Sequence, residues 1–326
     1  MLAVTSHCMR AVAVGMLLLT SAYAAEIHRL GLQDETYVTI LNATKGYYQA
    51  WSYTRESDVY DQAGRFYSKN PNNVYWDPLP PLEGFRGWNE YRNVIETVWK
   101  PAGVAAAAIL FAHDNSFRAW RHGDVVWTTG NCVVRTEGED GQAATSACRG
   151  LQVWEKQAGE WLIAHELFSS TVHPAGGLFQ GTRKADGRIR PDREFKQLSQ
   201  DIARRWGVGP VAAAAGRLRP YYGTDAVLHL YMPWAPHDGH PDWASFQAGL
   251  RDYLALGVQT LRLVHNDDVE VTRRDDVAWS TGTVHFQFIG NDDTAFAADG
   301  RQSRIWHRQG DQWLVIHEHL AIPMGH

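Results

Sequence analysis

The chain of 326 residues carries 31 basic and 36 acidic side chains, a formal net charge of −5, and 14 tryptophans. No block of Lys and Arg stands out, which argues against nucleic acid or an anionic membrane surface as partner. The tryptophans suit a packed core and equally a pocket for an aromatic or ring-shaped ligand.

The first residues hold Arg10, an apolar run from Ala11 to Leu19, and then Ala22-Tyr23-Ala24. That is the basic, hydrophobic and small-x-small order of a secretory signal peptide. The run is too short to cross a bilayer as a helix, which takes roughly 20 residues, and no later segment is long and apolar enough to do so. Residues 1–24 are therefore expected to be removed and the protein exported, to the periplasm. The remainder of about 300 residues fits two domains of roughly 150 each.

After the leader, Val38, Leu41, Tyr48 and Trp51 recur at helical spacing and predict a first helix. A short helix ending at "RFYS" follows, then a Pro/Gly-rich loop with a brief strand, "NNVYWDPLPPLEGFRG", and a third helix from about Trp88. The rest of this half reads as strands separated by turn residues, among them "DVVWTTGNCVV" and "EWLIAHELFSS". Cys132 and Cys148 flank a stretch whose "EDG" marks a hairpin turn. A hairpin centred on Asp140 sets the two cysteines side by side, and an oxidising compartment would join them; two buried free thiols are the alternative. A segment rich in Gly, Pro and charge, 173–191, reads as a linker.

Beyond it the same order begins again. Phe195, Leu198, Ile202 and Trp206 mark a helix, "RPYY" ends a short one, "AVLHLYMPWAPHDGHP" is the loop, and Trp243 opens the third helix. Trp154 and Trp306, Trp161 and Trp313, His165 and His317, and Glu166 and Glu318 each lie 152 residues apart. Nearer the start of each copy the offset is 155, as for Trp51 and Trp206. One register held over that length identifies a tandem repeat, with one domain over 25–172 and another over 192–326. Helices first and antiparallel strands after predict an α+β fold with helices covering one sheet face.

The order, together with "YWDP" and "GFRG" before a helix and "RIWHRQGDQWLVIHEH" from Arg304 to His319, resembles the NTF2-like superfamily in its SnoaL-like branch. It is similar in particular to the association domain of calcium/calmodulin-dependent protein kinase. The resemblance covers nearly all of both copies. It implies two cone-shaped α+β barrels, each a curved sheet around a pocket, paired through their sheet backs as an intrachain pseudo-dimer. That packing is expected to run through Trp161, Trp313, His165 and His317, because an open apolar sheet face would be a large exposed patch. Monomer and higher homo-oligomer both stay open. The resemblance implies no single activity, since the superfamily hosts isomerases, dehydratases, lyases and plain binding modules.

On the last strand of each copy side chains alternate between faces. Alternation alone puts Trp161, Ile163, His165 and Leu167 on one face and Leu162, Ala164, Glu166 and Phe168 on the other. In the kinase association domain the arginine matching Arg304 faces the pocket, which implies that Glu318 and Glu166 do too, with His165, His317 and His319 behind. The "HEH" of the last strand would then be split across the sheet rather than form a metal site, and "HDGHPD" reads as a solvated turn.

Glu166, among Leu, Phe and Ala, is the leading candidate for a general base, because partial desolvation raises a carboxyl pKa. Asp77 and Tyr75, on the short strand, are the complementary acid candidates; Asp77 capping the turn at Pro78 is the rival reading. Tyr48, Trp51, Trp76, Gln152, Trp154, Arg304, Trp306 and Glu318 are the expected ligand-binding residues. Tyr47 could also line the pocket and donate to an oxyanion. Arg304 is expected to pair with Glu318, whereas its counterpart Gln152 leaves Glu166 less compensated. With Pro78 matched to Pro233, Met232 stands where the first copy has Asp77. No nucleophile elbow, phosphate loop, dinucleotide fingerprint or zinc cysteine set is present, so no cofactor or metal is expected. Two functions remain: a cofactor-independent acid/base enzyme of isomerase, lyase or dehydratase type acting on a small hydrophobic or aromatic molecule, or a binding or assembly module without chemistry.

Overall fold

A computed structural model describes residues 26–53, 59–79, 81–101, 103–111, 116–171, 191–234, 236–255, 257–290 and 295–323. The leader at 1–24 and the linker, apart from Pro191, lie outside them.

The first half runs β1 (His28–Arg29), α1 (Glu35–Trp51), α2 (Val59–Gly64), β2 (Val74–Trp76), β3 (Phe85–Arg86), α3 (Gly87–Tyr91) and a π-helical turn (Ile95–Trp99). Five strands follow: β4 (Val104–Phe111), β5 (Arg118–His122), β6 (Val125–Gly138), β7 (Ala143–Gln157) and β8 (Glu160–Ser169). Asp34 caps α1 by accepting from the amides of Thr36 and Tyr37, and the buried stripe is Tyr37, Ile40, Thr44, Tyr47, Tyr48 and Trp51. Those positions recur every three or four residues. Val38 falls off that stripe and is exposed, against the sequence expectation.

The second half repeats the plan: α4 (Arg193–Trp206), α5 (Ala214–Leu218), β9 (His229–Tyr231), α6 (Trp243–Ala255), then β10 (Val258–His265), β11 (Glu270–Arg274), β12 (Val277–Gly290), β13 (Ala295–Gln309) and β14 (Gln312–Ala321). Its α4 is capped by Asp192 and buries Phe195, Ile202 and Trp206. In the first sheet the order is β1-β5-β6-β7-β8-β2-β3 with β4 also on β6; in the second it is β10-β12-β13-β14-β9 with β11 also on β12. The short strand is parallel to the last strand in both, pairing Tyr75 with Glu166 and Leu230 with Glu318. Each half is thus an α+β unit with its own core between helices and the inner sheet face.

A third apolar cluster lies between the halves. It joins Trp127, Leu151, Val153 and Ala164 to Val277, Trp279, Ile305 and Ile316. The two sheets are therefore packed back to back within one chain, as the repeat implied. The side chains that do the packing differ from the expected set. His165 and His317 are buried at this interface, and His165 meets the Ser303 hydroxyl across it at 2.7 Å. Trp161 and Trp313 instead turn to the helix side, Trp313 lying 5.1 Å from the Phe195 ring. The cause is a register shift in each sheet, between Val153 and Trp154 and between Ile305 and Trp306. A bulge adds one residue on one strand and reverses the alternation beyond it. Ile163 points into the first core and Ala164 into the interface, and the reversal keeps His165 in the interface and Glu166 inward.

Two buried arginines complete the junction. Arg301 reaches from β13 to the carbonyls of Asp77, Leu79, Pro81 and Leu82 in the first half. Its counterpart 152 residues earlier, Arg149 on β7, reaches the carbonyls of Met232, Pro236 and His237 in the second. Each guanidinium also stands over a ring of the opposite half, Arg149 at 4.7 Å from Tyr231 and Arg301 at 5.9 Å from Trp76.

Cys132 and Cys148 sit directly opposite each other on β6 and β7, with Cα atoms 4.7 Å apart, and are bonded. The turn between them centres where the sequence placed it, with Gly141 at a φ of +77°. Replacing both cysteines by alanine is expected to lower unfolding free energy by about 2–4 kcal/mol, the usual effect of closing a loop of this size. Urea unfolding of oxidised wild type against the double variant measures it, and coincident curves would show that the bond contributes nothing.

Candidate functional site

The core of the first half encloses a narrow cavity. Tyr47 and Trp51 of α1 form one wall, Tyr91, Ile95 and Trp99 of the α3 region another, and Ala107, Ile109, Val134, Cys148 and Phe168 of the sheet a third; Tyr53, Asp77 and Pro78 lie at the remaining side. The cavity volume is about 30 Å³, room for one or two water molecules. A ligand larger than water therefore has to part the walls.

Glu166 is fully buried behind the Tyr47 wall. Its Oε2 accepts from the Tyr47 hydroxyl and its Oε1 from the Tyr67 hydroxyl, both at 2.8 Å, and the Gln152 amide stands 3.5 Å away. Trp51 Nε1 donates to the Tyr67 oxygen at 2.9 Å, extending the network along α1. Burial pushes the Glu166 carboxyl up to about 7, although the tyrosine and glutamine hydrogen bonds oppose the shift. The same burial, with the nearby Glu166 carboxylate, drives the Tyr47 and Tyr67 hydroxyls well above their ordinary range and keeps them as donors.

Asp77 reaches the same cavity from the end of β2. Its Oδ1 accepts from the Leu79 amide at 3.0 Å, forming the turn that carries Pro78. Its Oδ2 accepts from Trp99 Nε1, also at 3.0 Å, so turn capping and cavity lining hold together. Burial raises its carboxyl to about 6, against the lowering effects of those two donors and of Arg301.

The expected ligand residues divide. Trp51 lines the cavity, Gln152 borders Glu166, and Tyr48 is buried between Phe111 and Phe168 without lining it. Tyr75, expected as an acid, turns its hydroxyl to the carbonyls of Ser68 and Ile163 and away from the cavity. Trp76 lies on the opposite face of β2 from Asp77 and packs at the interface against His165 and Arg301. Trp154 and Trp306 are core residues tied to Thr128 and Ser280 of the neighbouring strand. The residues the sequence reading missed are Tyr67, Tyr91 and Trp99. Tyr67 had a signal, because Tyr222 stands 155 residues later and holds the matching acid.

In the second half Glu318 is fully buried and paired with Arg304 at 2.7 Å, as expected, with Gln302 at 2.8 Å and the Tyr222 hydroxyl at 2.6 Å. Met232, in place of Asp77, is part of the apolar core. His317 and His319 lie on the interface side while Glu318 faces inward, which splits the "HEH". Among the described residues no group of three or more His, Cys, Asp or Glu side chains is placed to hold a metal.

No protein-family profile matches the chain, and no curated protein matches it. Solved structures similar to the chain include NTF2-like proteins. A candidate calcium/calmodulin-dependent protein kinase II association domain from Xanthomonas campestris is 16% identical, covers 44% of this chain and 97% of its own, and gives a TM-score of 0.35. An NTF2-like superfamily protein from Salmonella enterica is 14% identical over 40% of this chain and 93% of its own, at 0.34. A candidate scytalone dehydratase from Novosphingobium aromaticivorans is 11% identical over 40% and 83%, at 0.34.

The Glu166 environment makes a pH prediction. Its folded carboxyl, at about 7 against an ordinary 4.5, holds a proton more tightly than the unfolded one. The folded state therefore loses stability as pH rises from about 4.5 through about 7. Glu166→Gln removes that loss. The stability of the variant relative to wild type is expected to rise by about 1–3 kcal/mol between pH 4.5 and pH 8, measured by urea unfolding at both. A difference that stays flat with pH would mean that Glu166 titrates as an ordinary carboxyl.

Proposed function

We propose that the first half is an acid/base catalytic site for a small hydrophobic or aromatic molecule, and that the second half has become mainly structural. The observation that supports this best is a pair of buried carboxyls at one cavity, Glu166 and Asp77, both shifted toward neutrality. A group with a pKa near the working pH both accepts and releases protons readily. Glu166 acts through Tyr47, whose hydroxyl lies between it and the cavity. A proton taken from the substrate onto the Tyr47 oxygen is matched by transfer of the Tyr47 proton to Glu166. Asp77, when protonated, donates to a developing oxyanion or departing hydroxyl. Isomerisation and loss of water both need that pairing and no cofactor. The second half has Met232, Ile202 and an ion-paired Glu318 at the matching places, which supports specialisation of one copy. Export to an oxidising compartment is part of the proposal, supported by the leader pattern and the buried Cys132–Cys148 bond.

The second reading is a ligand-binding module without chemistry. The narrowness of the cavity and the full hydrogen bonding of Asp77 favour it.

Proton exchange distinguishes the two. In D2O, small enolisable and β-hydroxy aromatic ketones are followed by NMR for deuterium uptake or water loss. Wild type is expected to accelerate one of these, with Glu166→Gln reducing the rate by about 10²–10⁴, the usual contribution of a general base. Glu318→Gln is expected to cost much less, because Arg304 and Gln302 already occupy that carboxylate. Binding without exchange would favour the module. Equal losses from both changes would mean two working sites.

A further inference from the structure

The back-to-back junction has approximate twofold symmetry, and on one side that symmetry is broken by a cleft. The cleft has a volume of about 230 Å³ and is bounded by Asn72, Asn73, Val74 and His165 of the first half and by Glu270, Thr272, Trp279 and Thr281 of the second. The strand registers place each of these against a counterpart on the other side. Thr272 pairs with Trp279 across β11 and β12, and Trp120 pairs with Trp127 across β5 and β6. Val74 matches His229, because both strands are parallel to the last strand of their sheet in the same register.

On the filled side, the Trp120 indole lies parallel to Trp127 at 6.1 Å and next to the His229 imidazole at 6.0 Å. Arg118 donates to His229 Nε2 at 2.7 Å, and Val227 packs against the same cluster. On the open side those positions hold Thr272, Val74, Glu270 and Asn72. Two nitrogen-bearing rings and a branched apolar chain have given way to smaller or polar groups, and the space remains. Poor packing alone would leave an apolar void. This cleft has instead acquired the Glu270 carboxylate, the Asn72 and Asn73 amides and the Thr272 hydroxyl along its walls, beside Thr281, which matches Thr129 on the filled side. Asn72 is exposed, so the space opens to solvent there.

We propose that this cleft is a second binding site, separate from the Glu166 cavity, for a flat nitrogen heteroaromatic molecule of one or two fused rings. The bound ring takes the place that Trp120 and His229 fill on the other side, against Thr272, Val74 and the edge of Trp279. The volume limits it to that size, since clefts for drug-sized ligands run to about 300–1,000 Å³. Its N–H groups face acceptors. Glu270, held at 2.6 Å by Arg86, offers carboxylate oxygen where the filled side presents Arg118. His165 contributes shape rather than charge. Its Nδ1 donates to the Val74 carbonyl at 2.6 Å and its Nε2 accepts from Ser303 at 2.7 Å, and burial pushes the ring down to about 4. The expected order of preference is amine-bearing or neutral rings over acidic ones.

Isothermal titration calorimetry of the full exported chain with indole, tryptamine and indole-3-acetate tests this. Saturable 1:1 binding of indole and tryptamine is expected, with indole-3-acetate about tenfold weaker or more, equivalent to about 1.4 kcal/mol. Thr272→Trp restores the indole that the symmetry calls for. It is expected to abolish tryptamine binding without lowering the thermal midpoint. Val74→His, which restores the imidazole, serves as the second variant should Thr272→Trp not fold, and is expected to weaken tryptamine at least tenfold. Absence of saturable binding by either ring probe overturns the site. So does tryptamine binding that survives both substitutions, which would place it elsewhere, the Glu166 cavity included. Equal affinity for the acid and the amine overturns the ligand class.

Discussion

A guanidinium removed from water has five N–H donors to satisfy, and for Arg301 and Arg149 most of that demand is met from the opposite half. Arg301 closes on the carbonyls of the Asp77–Leu82 loop and Arg149 on those of the Met232–His237 loop. The loop bases are thereby fixed from outside their own sheet. Because Asp77 and Pro78 are part of the cavity wall in the first half, the shape of that cavity depends on a side chain of the second. Neither half holds its complete polar bonding without the other. A buried charge left without its acceptors costs several kcal/mol, so the two halves are coupled in stability as well as in geometry.

The bulge in each last-strand pair does the complementary sorting. It lets an aromatic-rich stretch of β8 and β14 face the helices, then turns two adjacent residues outward, and then returns an acid to the interior. Histidine and glutamate, adjacent in sequence, end in different environments. His165 becomes a neutral bridge between sheets, and Glu166 becomes a carboxyl held by tyrosines. Without the bulge the strand would present either the tryptophan or the acid inward, never both.

Much of this was legible in the sequence because it follows from long registers. The constant spacing of Trp154 and Trp306 or Glu166 and Glu318 exposed the duplication, the positions of Cys132 and Cys148 about Asp140 gave the disulfide, and Gln152 against Arg304 marked the two acids as differently placed. What was lost is local. A bulge leaves no pattern in a strand whose two faces are both apolar, so Trp161 and Trp313 were assigned to the wrong side while the acid was not. Trp76 and Tyr75 sit on a three-residue strand too short for periodicity to orient. Tyr67 and Arg149 were recoverable from the repeat, since Tyr222 and Arg301 keep its offsets, but a single tyrosine or arginine carries no spacing of its own.

The duplication lies within one polypeptide, and this has a consequence for how the protein can change. In a homodimer built on the same junction, every substitution would appear on both sides of the axis at once. An arginine placed beside one acid would be placed beside both, and a tryptophan removed from one side of the interface would be removed from both. Covalent tethering also keeps the partner at a high effective concentration, so the junction survives the loss of packing on one side. Here Gln152 stands opposite Arg304, Asp77 opposite Met232, and Trp120 opposite Thr272. Tandem repetition within one chain releases each half from the identity of its twin, so that substitution can act on one face of the axis while leaving the other as it was.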